Sequence, residues 1–150
     1  MANNFNIRVY GILKHPNGQF LITDELRGGV EMKKFVGGGL EFNEGTKNAL
    51  KREFIEEMNL EIEVDDLFYM NDFLQISKFN SNDQLLSVYY TVSTLDWDRV
   101  EWCIQHPTKE QAFRWVDFNK LKVDDITFPI DKVVLKKIKS KLINLTENTE

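Results

Sequence analysis

Residues 37 to 60, GGGLEFNEGTKNALKREFIEEMNL, set the tightest limit on what this chain can become. Three consecutive glycines carry no β-carbons, so the backbone there can turn sharply and lie against a ligand. From Thr46 to Met58 the residues Leu50, Phe54 and Met58 recur at a spacing of four, an apolar stripe that predicts an amphipathic helix. Gly45 or Thr46 suits its N-cap, and Asn59 suits the left-handed residue that ends it. On that helix Glu53, Glu56 and Glu57 fall at i, i+3 and i+4, so their carboxylates project from one face within reach of a common point. The face adjoins the apolar stripe, where crowded negative charge is costly unless neutralised.

Carboxylate oxygens are hard ligands suited to Mg²⁺ or Mn²⁺, and Mg²⁺ takes its remaining ligands from water and substrate phosphates. A glycine such as Gly38 can add a backbone carbonyl. The helix alone equally fits a solvated face with Lys51 and Arg52 beside the glutamates, so the chemistry rests on the joint spacing of glycines and acids. A formal net charge of −5 removes the basic surplus expected of a protein that grips duplex nucleic acid by its phosphates. A lone cysteine, Cys103, with only His15 and His106, excludes an internal disulfide and argues against zinc. No apolar run is long enough for a signal peptide or a membrane span, so the cytoplasm is the expected compartment.

The 150 residues are expected to form one domain, 1–150, with 144–150 a frayed tail. FNIRVYGIL (5–13), the turn HPNG (15–18) and QFLITDEL (19–26) predict a hairpin, and RGGVEMKK (27–34) an irregular loop. LEIEV (60–64), FLQISKF (73–79), QLLSVYYTVST (84–94) and AFRWVDF (112–118) predict strands, the third long enough to be central. PIDKVVLKKIKSKLI (129–143) predicts a second helix with Pro at its start. Strands mixed with two helices place the chain in the α/β or α+β class.

The segment Gly38 to Leu60 resembles the signature of the Nudix hydrolases, G-x5-E-x7-R-E-U-x-E-E-x-G-U with U a bulky apolar residue. Gly38, Glu44, Arg52, Glu53, Glu56, Glu57 and Leu60 stand where the pattern requires them. At roughly 7% frequency for each of the six named residues, a chance match is of order 10⁻⁵. Asn59 replaces the final glycine, which the left-handed cap tolerates. Phe54 stands where the family usually has Ile, Leu or Val, so the pocket beneath the helix should pack differently. FRWVDFNKL and TFPIDKVVLKKI extend a weaker resemblance toward the end of the chain.

The resemblance implies an α/β/α sandwich with a mixed central sheet, and Mg²⁺-dependent (or Mn²⁺-dependent) hydrolysis of a nucleoside diphosphate linked to another group. In that reading Glu53, Glu56, Glu57 and the Gly38 carbonyl hold metal, Glu44 supports them, and Arg52 orients the carboxylates. Divalent metal neutralises the diphosphate and acidifies the attacking water. Glu53 or Glu110, the latter just before the AFRWV strand, is the candidate base. Arg8, Arg27, Lys33 and Lys34 are candidates for phosphate contacts, and Phe35 or Tyr90 for stacking on a base. FLQISKFN lacks the marker residues of ADP-ribose and dinucleoside polyphosphate hydrolases, which leaves a (d)NTP or a nucleotide-sugar as the expected small-molecule substrate. The rival reading is a Nudix-like module that senses a nucleotide metabolite without turnover, and an apolar edge strand leaves room for a homodimer.

Overall fold

The computed structural model describes residues 1–148. Its centre is a parallel pair, β1 (Asn4–Leu13) beside β6 (Asp83–Ser93), in register from Asn4 opposite Asp83 to Leu13 opposite Val92. β4 (Val36–Gly39) flanks β1 and β5 (Glu63–Met70) flanks β6, both antiparallel, giving the order β4-β1-β6-β5. A second sheet has the order β3-β2-β7, from Val30–Lys34, Phe20–Arg27 and Gln111–Val116. The helices are α1 (Thr46–Met58), α2 (Trp97–Gln105) and α3 (Pro129–Asn148).

Period-two alternation divides the core in two. Val9 and Leu13 of β1, with Val88, Tyr90 and Val92 of β6, pack with Leu50, Phe54 and Met58 of α1 and Val100 and Cys103 of α2. The intervening Tyr10, Ile12 and Tyr89 join Ile130, Val134, Leu135 and Ile138 of α3. Strands buried on both faces with helices on opposite sides make the expected α/β/α sandwich around a mixed sheet. Among the described residues no helix is long and apolar enough to cross a membrane.

Several local expectations are corrected. The strands on either side of HPNG belong to different sheets and are paired by the isolated bridge Lys14 to Phe20, so the turn joins sheets and does not close a hairpin. The hairpin is instead β2–β3: Gly28 and Gly29 take positive φ, 56° and 78°, and the expected loop RGGVEMKK becomes the turn and β3. Residues 73–79 make one isolated bridge, Ile76 to Gln84, and β5 starts later than LEIEV suggested. The helix α2 is additional; Asp96 caps it by accepting from the Arg99 amide at 3.1 Å. α3 is drawn to Asn148, and Thr149 and Glu150 of the expected tail lie outside the described residues. α1 has the expected bounds, with Asn59 at φ 49°, ψ 41° closing it in the left-handed conformation.

The bulk of Phe54 has a local answer. Its ring lies over Gly11 of β1, where an added β-carbon would come within 2.6 Å of Phe54 Cε2. Glycine at 11 is the space that phenylalanine at 54 occupies. Gly11→Ala should therefore destabilise the protein by about 1 to 3 kcal/mol, the usual cost of overpacking. In a Phe54→Leu background the same change should cost less, a coupling that urea denaturation of the four proteins would measure.

The α3 core holds one buried acid, Asp131, whose carboxylate accepts a short hydrogen bond from Tyr89 Oη. Burial raises its pKa to about 6, against the opposing effects of Tyr89 and Lys34. A carboxyl whose folded pKa exceeds its unfolded value binds the proton more tightly in the native state. The stability it contributes is full below about pH 4 and is lost as pH rises toward 6. Asp131→Asn keeps an acceptor for Tyr89 and removes the titration. Relative to this variant, the unfolding free energy of the parent protein should fall by on the order of 2 kcal/mol between pH 4 and pH 6.5, measured by urea titration at each pH.

Candidate active site

The glycines form strand β4, not a bend. Val9 pairs with Gly38 and Arg8 with Gly39, which fixes β4 beside β1 and brings α1 back across its end. A β-carbon on Gly38 would sit 2.5 Å from Glu53 Cδ, so the carboxylate rests directly on the glycine backbone. No other residue permits that approach.

Arg52 gathers the acids of the loop and helix. Its Nε and Nη2 form a fork on Glu44, at 3.0 Å to Oε2 and 2.7 Å to Oε1. Nη2 also donates to the Gly39 carbonyl at 2.9 Å, and Nη1 donates to Glu53 Oε1 at 3.0 Å and Glu56 Oε2 at 3.2 Å. Glu44 in turn accepts from the Glu41 amide at 2.8 Å. Through these bonds, Arg52 first, the Glu44 carboxyl is held below its ordinary pKa.

The three helix carboxylates do not converge as the spacing suggested. Glu56 lies in solvent, its side chain 56% exposed, drawn toward Arg52, whereas Glu53 and Glu57 are the inner pair. Among the described residues no three acidic, histidine or cysteine side chains are gathered closely enough to form a metal cluster. Burial raises the Glu57 pKa to about 7, with Glu25 and Glu53 pushing the same way and Lys34 and Gln111 opposing. Burial likewise raises Glu53, against the pull of Arg52. Glu57 Oε2 is buried with no hydrogen-bond partner. Two part-buried carboxylates, one with an orphaned buried oxygen, form a donor set that fits a hard divalent cation whose other ligands come from water and substrate.

A cleft of about 640 Å³ has walls that include Arg8, Glu25, Arg27, Lys34, Phe79 and Asp131; the helix carboxylates do not line it, and Glu25 connects the two through Gln111, whose Nε2 reaches both Glu25 and Glu57. Arg8 donates from Nε to Tyr10 Oη at 2.8 Å. Lys34 is buried, 3.5 Å from Glu25 Oε1. Arg27, exposed at the end of β2, lies 4.6 Å over the Phe79 ring at the rim.

Four candidate residues fall elsewhere. Lys33 alternates to the opposite face of β3 from Lys34 and lines a separate, shallower groove. Phe35 is 0% exposed, edge-on to Tyr89 and Phe118 in the α3 core, so it cannot stack on a base; Tyr90 is also buried, its hydroxyl against Thr46. Glu110 is exposed in the same groove as Lys33. Its neighbour Gln111 points inward instead, with Nε2 at 3.3 Å from Glu57 Oε1 and 3.0 Å from Glu25 Oε1. The sequence reading missed Glu25 and Gln111, although TDEL does place Thr23 and Glu25 on one strand face.

The sequence profile of the NUDIX domain matches residues 5–137. No curated protein matches the chain in sequence. Among solved structures, the ORF135 protein of E. coli is 19% identical with a TM-score of 0.69, over 91% of this chain and 90% of that one. A MutT protein from Methanosarcina mazei Go1 is 14% identical with a TM-score of 0.67, over 94% and 97%. A NUDIX hydrolase from Nitrosomonas europaea is 16% identical with a TM-score of 0.66, over 91% and 89%. At such identities these proteins share the fold. With the profile spanning most of its length and the glycine strand, Arg52 and the helix carboxylates assembled at one end of the sheet, the chain belongs to the NUDIX domain family.

Proposed function

We propose that the chain hydrolyses a diphosphate bond in a nucleoside diphosphate linked to another group, a (d)NTP or a nucleotide-sugar, with Mg²⁺ or Mn²⁺. The observation that carries this reading is the orphaned, buried Oε2 of Glu57, joined through Gln111 to Glu25 on the wall of a cleft that presents Arg8 and Lys34. An anionic substrate in the cleft would lie next to a cation held by the helix carboxylates.

Glu53 and Glu57, with Glu56 on the outer side and the Gly38 carbonyl, would hold the cation. Bound there, it supplies positive charge against the two phosphates and lowers the pKa of a water. Arg8 and Lys34 bind phosphate oxygens at the cleft wall, and Arg27 at the rim meets the more distant part of the substrate. Arg52 keeps the Glu53 carboxylate oriented through Oε1, leaving Oε2 to accept the proton of the attacking water. Exposed Glu110 lines the separate groove with Lys33, which supports Glu53 over it as that acceptor.

The test is product release from nucleoside triphosphates, nucleotide-sugars, dinucleotides and dinucleoside polyphosphates, with Mg²⁺, Mn²⁺ or EDTA. Turnover of one class that EDTA abolishes is the expected result. Nucleotide binding without turnover of any substrate would replace this reading with the sensor. Glu57→Gln should lower kcat at least about a hundredfold, beyond the typical loss from an outer-shell partner. Its Tm should be unchanged or higher, because a costly buried carboxylate is gone. Arg52→Lys, which keeps the charge but loses the planar fork, should lower kcat by about 10- to 100-fold with KM little changed, measured by steady-state kinetics.

A further inference from the structure

We propose that Gln111 is a positioning residue for Glu57: its amide ties one carboxylate oxygen so that the other is presented to the cation. This rests on the reading of Glu57 as a metal-holding group.

Gln111 opens β7 directly opposite Glu25 of β2. Its backbone is fixed by a reciprocal clamp, in which the Gln111 amide donates to Thr108 Oγ1 at 3.0 Å and the Thr108 amide donates to the Gln111 carbonyl at 2.9 Å. From that anchor Nε2 reaches Glu25 Oε1 at 3.0 Å, Thr23 Oγ1 at 3.2 Å and Glu57 Oε1 at 3.3 Å. An amide nitrogen has two hydrogens, so three acceptors already saturate it.

The consequence at Glu57 is an asymmetric carboxylate. Oε1 is engaged by Gln111 and Oε2 is buried without a partner. Without the amide, the carboxylate could rotate about its terminal torsion and would lose its one hydrogen-bonded bridge to Glu25. A neutral donor is the chemistry this place needs. A glutamate would crowd a third carboxylate against Glu25 and Glu57, and a lysine would supply the positive charge that the cation otherwise brings. An amide bridges the two acids while leaving their charge for the ligand.

The test compares Mn²⁺ affinity of the parent protein and of Gln111→Met by electron paramagnetic resonance titration, with steady-state kinetics alongside. Methionine matches the length and volume of glutamine and has no donor. The expected result is Mn²⁺ bound about 10- to 100-fold more weakly, as when a ligand loses its outer-shell hydrogen bond. kcat should fall in step, and KM at saturating metal should stay within about threefold, because Arg8 and Lys34 are untouched. Mn²⁺ affinity within twofold of the parent would overturn the role of Gln111 alone. Absence of Mn²⁺ binding by the parent would overturn it together with the metal-dependent reading. If Gln111→Met does not fold, Gln111→Asn decides in the same way, since it keeps the donors but falls a methylene short of Glu57.

Discussion

One guanidinium organises the site. Arg52 has five N–H donors, and the structure gives each an acceptor among Glu44, Glu53, Glu56 and the Gly39 carbonyl. Those acceptors lie on the helix, on the loop before it and on strand β4, so a single planar cation locks the three segments in one geometry. It also decides which acid is left over. Glu53 and Glu56 share Arg52, whereas Glu57, one residue further round the helix, receives only the neutral amide of Gln111. The carboxylate without a protein cation bonded to it is also the one most affected by burial among the three.

The strands determine what that carboxylate faces. Because β1 and β2 diverge into separate sheets after Lys14, a cleft opens where a hairpin would have closed it. On β1 the residues Arg8 and Tyr10 share the face that turns toward this cleft, and Val9 between them goes to the opposite core. β3 brings Lys34 to the same space by the same alternation. Cationic side chains from two sheets thus meet the helix acids without any local excess of basic residues in the sequence.

This explains which parts of the site were legible beforehand. The helix, its left-handed stop at Asn59 and the closeness of Arg52 to its acids are local, and a spacing of three or four residues carries them. Lys33 and Lys34 could not be told apart, because only strand parity separates them and the glycine pair before them suggested a loop. Phe35 was misplaced for a related reason: an aromatic beside the glycines is near the site in sequence, but in space it is sealed by Tyr89 and Phe118. Gln111 meets Glu57 across 54 residues, a pairing no local pattern encodes. The segment 73–79 has the composition of a strand but only a bridge for a partner, and it forms part of the cleft wall instead. Asp96 and the spacing of Val100 and Cys103 were available signals for α2, masked by the strand-like residues before them.

Among the described residues, two buried side-chain oxygens lack a hydrogen bond: Glu57 Oε2 and Asp131 Oδ2. A purely structural core has little reason to hold either, since each could be replaced by a paired or apolar group with less cost. Both act electrostatically on Lys34, together with Tyr10 and Glu25. Burial alone would lower the Lys34 pKa, yet these partners outweigh it and raise the value. The ammonium is therefore held charged inside the protein by acids that are themselves incompletely satisfied. Such an arrangement is costly for a fold alone and appropriate to a cleft whose polar groups find their remaining partners on a charged ligand.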